Sequence, residues 1–267
     1  QTLYTENDAH EALPKVIAAK NRLIQIRNDV VIEAWIEHVD YPFLEQHGKE
    51  VDLILDATDN FDTRQLINDF AYKHHIPWIY GGVVQSTYAE ATFIPEQTPC
   101  FNCLMPQLPS VNLTCDTVGV IQPAVTMTTS LQLKDALKLL TGHDIKPQLT
   151  YGDIWEGDHY RIGFSKMHQD QCPTCGSRPH FPYLNQERQN YATLCGRDTV
   201  QYKNKNISQE ILTTFLEQHH IHYRTNLYMT IFKFRGHRIV AFNGGRFLIH
   251  NMTQPQQAIQ LINQLFG

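Results

Sequence analysis

The sequence predicts an α/β domain, a mostly parallel sheet with helices on both faces, followed by a small α+β domain. Three observations predict this. Apolar strands alternate with amphipathic helices up to about Gly176, the pattern of parallel strands joined by helical crossovers. Two Cys-x-x-Cys pairs, Cys100–Cys103 and Cys172–Cys175, stand far apart in that region and can meet only through a tertiary fold. After Cys175 a polar, proline-containing stretch over 178–192 precedes short strands punctuated by glycine turns.

The elements follow in order. From Ala12 to Arg27, Val16, Ala19, Leu23 and Ile26 recur at helical spacing, and Pro14 suits a first turn. Residues 30–35 read as a strand, and Val51–Ala57 as a short apolar strand of the kind buried in a parallel sheet. A helix follows with Phe61, Leu66, Ile67 and Phe70 inward, ending before Pro77. Pro77–Val83 and Tyr88–Ile94 read as strands. Gln122–Thr141 reads as a long helix stopped by Gly142, and Gln148–Trp155 with Tyr160–Lys166 as a strand pair. The second domain reads as strand Thr199–Lys203, helix Ser208–His219, strands Tyr228–Phe234, Arg238–Phe242 and Arg246–His250, and a last helix Gln254–Phe266. Arg235-Gly-His237 and Asn243-Gly-Gly245 are hairpin turns. The expected division is 1–178, a linker over 179–194, and 195–267.

Composition narrows the function. The chain has 267 residues, 42% hydrophobic, enough for a sizeable core. Its formal charge of −5 provides no global basic field for nucleic acid. No apolar run is long enough to span a membrane, and no signal-like start is present. Six cysteines, four of them in Cys-x-x-Cys pairs, point to a metal and a reducing cytoplasm rather than a secreted disulfide scaffold.

Four thiolates in two such knuckles suit tetrahedral zinc at about 2.3 Å. The gap from 104 to 171 is too long for a zinc ribbon, so the metal would pin two remote parts of one fold. Two disulfides or four unrelated buried cysteines are the alternatives. In Asp56-Ala-Thr58-Asp59-Asn60, with Arg64 one turn on, a strand ends and a helix opens. Ligands of open α/β sheets bind at the carboxyl ends of strands, which places Asp59 where a phosphate-bound Mg²⁺ sits. Asp59 or Asn60 acting only as a helix cap is the alternative.

Taken together, several segments resemble the HesA/MoeB/ThiF family of adenylating enzymes, relatives of the ubiquitin-activating enzymes, with the MoeB type the nearest. They are Gln1-Thr2, Pro14-Lys15-Val16, Asp56–Asn60 with Arg64, Pro99–Cys103, Thr114-Cys115 to Gly119-Val120, and Cys172–Gly176, in the family's order from Gln1 to about Gly176. The resemblance implies a Rossmann-like, doubly wound fold that binds ATP and Mg²⁺. It implies adenylation of the C-terminal glycine of a ubiquitin-like sulfur carrier ending in Gly-Gly, with release of pyrophosphate. Molybdenum cofactor synthesis is the preferred pathway and thiamine thiazole synthesis the alternative, because the motifs are shared. A homodimer is also implied. Lys15 matches the lysine on the phosphates, Asp59 the Mg²⁺ ligand, and Gln1, Asn60 and Arg64 nucleotide-site positions. Lys15 as an ordinary solvated helix lysine stays open. Cys115 matches a loop cysteine that in some relatives bonds the carrier covalently, and an unreactive thiol stays open; Cys195 reads as structural.

The family's glycine-rich nucleotide loop has no counterpart here. We expect it, and the first βαβ unit, to precede Gln1 in a longer protein. If that unit is absent, a non-catalytic, zinc-stabilised scaffold that binds a ubiquitin-like protein is the competing reading. A dinucleotide-binding oxidoreductase explains neither the cysteine pairs nor the Thr58-Asp59-Asn60 segment.

Overall fold

The computed structural model describes residues 3–105, 119–184, 191–194, 198–204 and 206–266. The chain forms two compact units, Gln1–Ile36 with Arg188–Gly267, and Glu37–Glu187. The expected boundaries divide it differently, since they join the first 36 residues to the cysteine-bearing region.

The first unit opens with α1 (Glu6–His10), closed by a reciprocal cap between Thr5 and Asp8, and α2 (Lys15–Ile26) behind Pro14. The Asn226 side-chain amide donates to the carbonyls of Glu11 (3.0 Å) and Ala12 (3.2 Å), tying the α1–α2 link to a turn of the C-terminal part. The predicted helix is present, but its stripe is not inward. Val16, Leu23 and Ile26 are 39%, 37% and 65% exposed, and Ala18 is the buried residue. The predicted strand over 30–35 is irregular chain. A strand exists through its ladder, and no described residue pairs with this segment.

In the second unit come α3 (Tyr41–His47), β1 (Ile54–Leu55), α4 (Phe61–Lys73), β2 (Trp78–Val84), β3 (Thr87–Phe93), α5 (Phe101–Leu104), α6 (Gln122–Leu140), β4 (Gln148–Asp153) and β5 (Tyr160–Gly163). The sequence reading missed α3, whose start is set by Asp40 accepting from the Phe43 amide at 2.9 Å. The sheet order is β1-β2-β3-β4-β5. Among the described strands only the β1–β2 pair is parallel, so the expectation of a mostly parallel sheet is corrected to a mixed one. The reason is local at β2–β3. Gln85 and Ser86 reverse the chain in two residues, Gln85 with a φ of 54°, and so tight a connection can only be antiparallel. β1 pairs in parallel with β2 as predicted; among the described residues it lies at the end of the strand order, with Leu55 53% exposed.

The core of this unit is aromatic. Trp78, Phe93, Phe101 and Phe164 are fully buried, with Trp78 on Phe93 at 4.8 Å and Phe93 edge-on to Phe101 at 5.9 Å. Phe101 lies inside the first cysteine pair, so that pair is anchored in the centre of the core.

The rest of the first unit runs β6 (Tyr191–Leu194), β7 (Thr199–Lys203), α7 (Gln209–Gln218), β8 (Tyr223–Thr225), β9 (Met229–Phe234), β10 (His237–Phe242), β11 (Arg246–His250) and α8 (Pro255–Phe266). Its antiparallel sheet has the order β6-β7-β11-β10-β9-β8. Leu212 and Leu216 of α7 and Ala258, Leu261, Ile262 and Leu265 of α8 pack against Phe232, Ile239, Phe247 and Ile249 of the sheet. The predicted strands and helices are all found to within a residue or two, and β6 and β8 are additions. β6 falls where a linker was read, because a four-residue edge strand carries too little periodicity to show. No helix among the described residues is long and apolar enough to cross a membrane.

Candidate functional site

The four paired cysteines converge. Their sulfurs all lie within 4.8 Å of one another, with Cys100 to Cys172 at 3.4 Å and Cys103 to Cys175 at 3.5 Å. A disulfide needs about 2.05 Å, so these are four thiols. Four sulfurs at about 2.3 Å around a tetrahedral ion stand about 3.8 Å apart, close to what is seen. Cys100, Cys103 and Cys172 are buried. Local geometry makes the knuckles. Cys100 opens the single turn of α5. A Cβ on Gly176 would lie 2.5 Å from the Asp170 carbonyl and 2.6 Å from that of Cys172, so only glycine lets the second turn close. Hydrogen bonds from Cys100, Cys103 and Cys175 hold the Cys172 thiol far below its ordinary pKa, and its sulfur neighbours with burial push Cys100 far above. A bound cation is what lets all four become thiolates, and this donor set can hold one.

The loop after β1 is built around a buried ion pair. Asp56 Oδ2 accepts from Arg64 Nε at 2.9 Å, with both side chains almost wholly enclosed. Asp56 Oδ1 accepts from the Thr58 amide (2.8 Å) and hydroxyl (2.6 Å). Arg64 also donates to the carbonyls of Thr58 (2.6 Å) and Gly81 (2.9 Å), and its guanidinium lies 4.9 Å over the Tyr80 ring. The structure therefore places Arg64 inside the fold, holding the loop's shape. Asn60 is the helix cap, its Oδ1 accepting from the Thr63 amide at 2.8 Å. Asp59 is exposed at the carboxyl end of β1, at the head of α4, with Asn60 Nδ2 3.4 Å from its Oδ1. Lys15 is the exposed first residue of α2, in the first unit. Gln1, Cys115 and Cys195 lie outside the described residues.

Sequence reasoning missed a polar row along α4. Asn68 Oδ1 accepts from the Phe101 amide at 3.0 Å. Asp69 accepts from the Thr174 hydroxyl at 2.5 Å and from the Tyr183 amide at 2.9 Å. Tyr72 donates to the Thr98 and Pro99 carbonyls, each at 3.0 Å. Burial raises the pKa of both Asp69 and Tyr72. A signal was present: Asn and Asp are unfavourable inside helices unless their side chains have work elsewhere. A second polar cluster, equally unforeseen, lies between α6 and the sheet. The Thr92 hydroxyl is 3.2 Å from Glu90 Oε1 and 3.0 Å from Asp135 Oδ2. Burial first, and Asp135 second, push Glu90 up to about 8.

Residues 1–175 match the ThiF family. The chain belongs to that family. The sulfur carrier protein ThiS adenylyltransferase of Bacillus subtilis is 36% identical over 271 residues, spanning 100% of this chain and 80% of the relative. The molybdopterin-synthase adenylyltransferase of Escherichia coli is 30% identical over 176 residues, 66% of this chain and 69% of its own. Among solved structures, E. coli MccB with ATP superposes with a TM-score of 0.55 at 18% identity, covering 66% of this chain and 54% of that one. The ThiF-family chain thus spans about half the length of that structure, and the likeness is one of fold.

Proposed function

We propose that this ThiF-family chain is an adenylyltransferase that uses ATP to activate the C-terminal glycine carboxylate of a ubiquitin-like sulfur carrier ending in Gly-Gly. The observation that carries the reading is Asp59, exposed beyond the carboxyl end of β1 and at the head of α4, in a chain whose relatives are named adenylyltransferases. The chemistry is a displacement at the α-phosphorus. A carrier carboxylate oxygen bonds to it, the bond to the bridging oxygen breaks, and pyrophosphate leaves. Such a reaction needs alignment of two anions and neutralisation of phosphate charge more than proton transfer.

In this reading Asp59 holds Mg²⁺, whose part is to neutralise the phosphate oxygens when bound. Asn60, beside Asp59, contacts the nucleotide, while Lys15 and Gln1 keep only the phosphate and nucleotide roles that the family resemblance implies. The Asp56–Arg64 pair positions the loop that carries Asp59. The four cysteines hold zinc, which closes the fold and leaves no open position for chemistry. Four reduced thiols also suit the cytoplasm.

For the carrier we favour the thiazole branch of thiamine synthesis over molybdenum cofactor synthesis. The support is coverage: the B. subtilis relative matches the whole chain, C-terminal sheet included, and the E. coli one matches 66%. Carrier-dependent ATP–pyrophosphate exchange tests all of this. Exchange requiring Mg²⁺ and a Gly-Gly carrier is expected, strongest with a ThiS-type protein. No exchange from a folded, zinc-loaded protein would leave a binding scaffold. The homodimer is tested by sedimentation at micromolar concentration, where a monomer would remove it.

A further inference from the structure

We infer that Asp69, acting through Thr174, and Asn68, acting through the Phe101 amide, are positioning residues that lock the cysteine centre to α4, making the metal and the Asp59 loop the two ends of one rigid element. The inference rests on the zinc reading given above.

The two cysteine pairs are separated by 68 residues of sequence, and within each pair the backbone turns on itself. Something must hold one pair against the other before and after the metal binds. α4 supplies it from three residues on adjoining turns. Asn68 grips the first pair at Phe101 N, at 3.0 Å. Tyr72 grips the segment that leads into that pair, at Thr98 and Pro99. Asp69 grips the second pair at Thr174, at 2.5 Å, and its other oxygen holds the Tyr183 amide. A cross-brace joins the pairs directly, Asn102 Nδ2 donating to Thr174 Oγ1 at 2.7 Å. Thr174 is thus both donor and acceptor at once, with 2% of its surface exposed, and its hydroxyl has no freedom to turn away. Residues next to a metal's own ligands that orient them in this manner typically matter about 10–100-fold to metal affinity.

The other end of the same helix is the Asp56–Asn60 loop. Asn60 caps α4, and Arg64, one turn in, holds Asp56 and the Thr58 carbonyl. From Asn60 to Asp69 is nine residues of continuous helix, about 14 Å at 1.5 Å per residue. No glycine or proline interrupts it, so a displacement at one end reaches the other as a rigid shift. Metal loss should therefore move the Asp59 loop as well as loosen the knuckles.

The test uses the full chain, zinc-loaded, with Thr174→Ser, Thr174→Val and Asp69→Asn. Thr174→Ser keeps the hydroxyl and Thr174→Val keeps the shape, so the pair separates the hydrogen bond from packing. Zinc transfer to a chromophoric chelator is timed, and the Co²⁺-substituted proteins give the thiolate charge-transfer and d–d bands. We expect Thr174→Val and Asp69→Asn to release zinc about 10–100 times faster, with shifted Co²⁺ bands, and Thr174→Ser to match the parent. The Mg²⁺ concentration for half-maximal pyrophosphate exchange should rise in the same two variants. Equal release rates and unchanged bands in Thr174→Val would overturn the inference while leaving the zinc reading intact. A parent protein that holds no equivalent of zinc would remove both.

Discussion

The two units bury different things. In the Glu37–Glu187 unit the interior holds Asp56, Arg64, Asn68, Asp69, Glu90, Gln132 and Asp135, each less than 10% exposed. Among the described residues, the C-terminal sheet of the other unit buries Thr199, Gln201 and Thr230 as its polar residues, and no acidic or basic residue is buried there. Enclosed charge costs stability unless it is paired and hydrogen-bonded, so an apolar interior is the cheaper way to fold. Behind its hydrogen-bonded ladders the C-terminal sheet packs apolar side chains, whereas the other unit commits buried polar groups to fixing a loop and a four-cysteine cluster. The contrast separates a unit shaped by chemistry from one shaped by packing.

The largest effect that would break this contrast comes from the cysteines. Cys100→Ser or Cys172→Ser should cost several kcal/mol and lower the melting temperature by on the order of 10 °C, with loss of the bound zinc. A variant that melts normally with zinc retained misassigns the centre. Arg64→Ala comes next. It leaves Asp56 buried without its partner, a loss of about 3–5 kcal/mol, whereas Phe247→Ala should cost about as much, roughly 3–5 kcal/mol, through a cavity in the C-terminal core. Zinc content and pyrophosphate exchange measured on both decide the comparison: Arg64→Ala should lose exchange, and Phe247→Ala should keep zinc.

A smaller effect depends on pH. Glu90 faces Thr92 and, from α6, Asp135, whose other oxygen is 3.0 Å from Lys134. Its carboxyl is lifted from 4.5 to about 8, so the folded protein keeps a proton that the unfolded chain has released. The stability this confers is complete below pH 4.5 and is lost progressively as pH rises towards 8. Glu90→Gln should therefore raise the melting temperature more at pH 8 than at pH 5. An equal shift at both would place the charge elsewhere. The smallest structural effect belongs to Asp59→Asn, which should leave melting and zinc unchanged and abolish Mg²⁺-dependent exchange. Retained exchange would take Asp59 out of the site.

Much of this was legible in the residues. The cysteine pairs, the helix behind Asn60, and the strands and helices from Thr199 onward show in periodicity and turn chemistry, since each is set by side chains a few positions apart. The strand over 30–35 and the inward stripe of α2 did not follow, because exposure and pairing depend on what lies across from a segment. Nor could spacing tell that Arg64 points inward to Asp56. By itself the sequence determined the family, through motifs matched over residues 1–175, and the identity of the four metal-competent thiols. Only the tertiary structure decided that the sheet is mixed, that Arg64 serves the loop from inside, and that Asn68, Asp69 and Thr174 bind the cysteine pairs to α4. The physical reason is range. Helix periodicity, capping and knuckle turns are encoded within a few residues, whereas the Asp69–Thr174 hydrogen bond joins positions 105 apart and exists only once the core around Phe101 has closed.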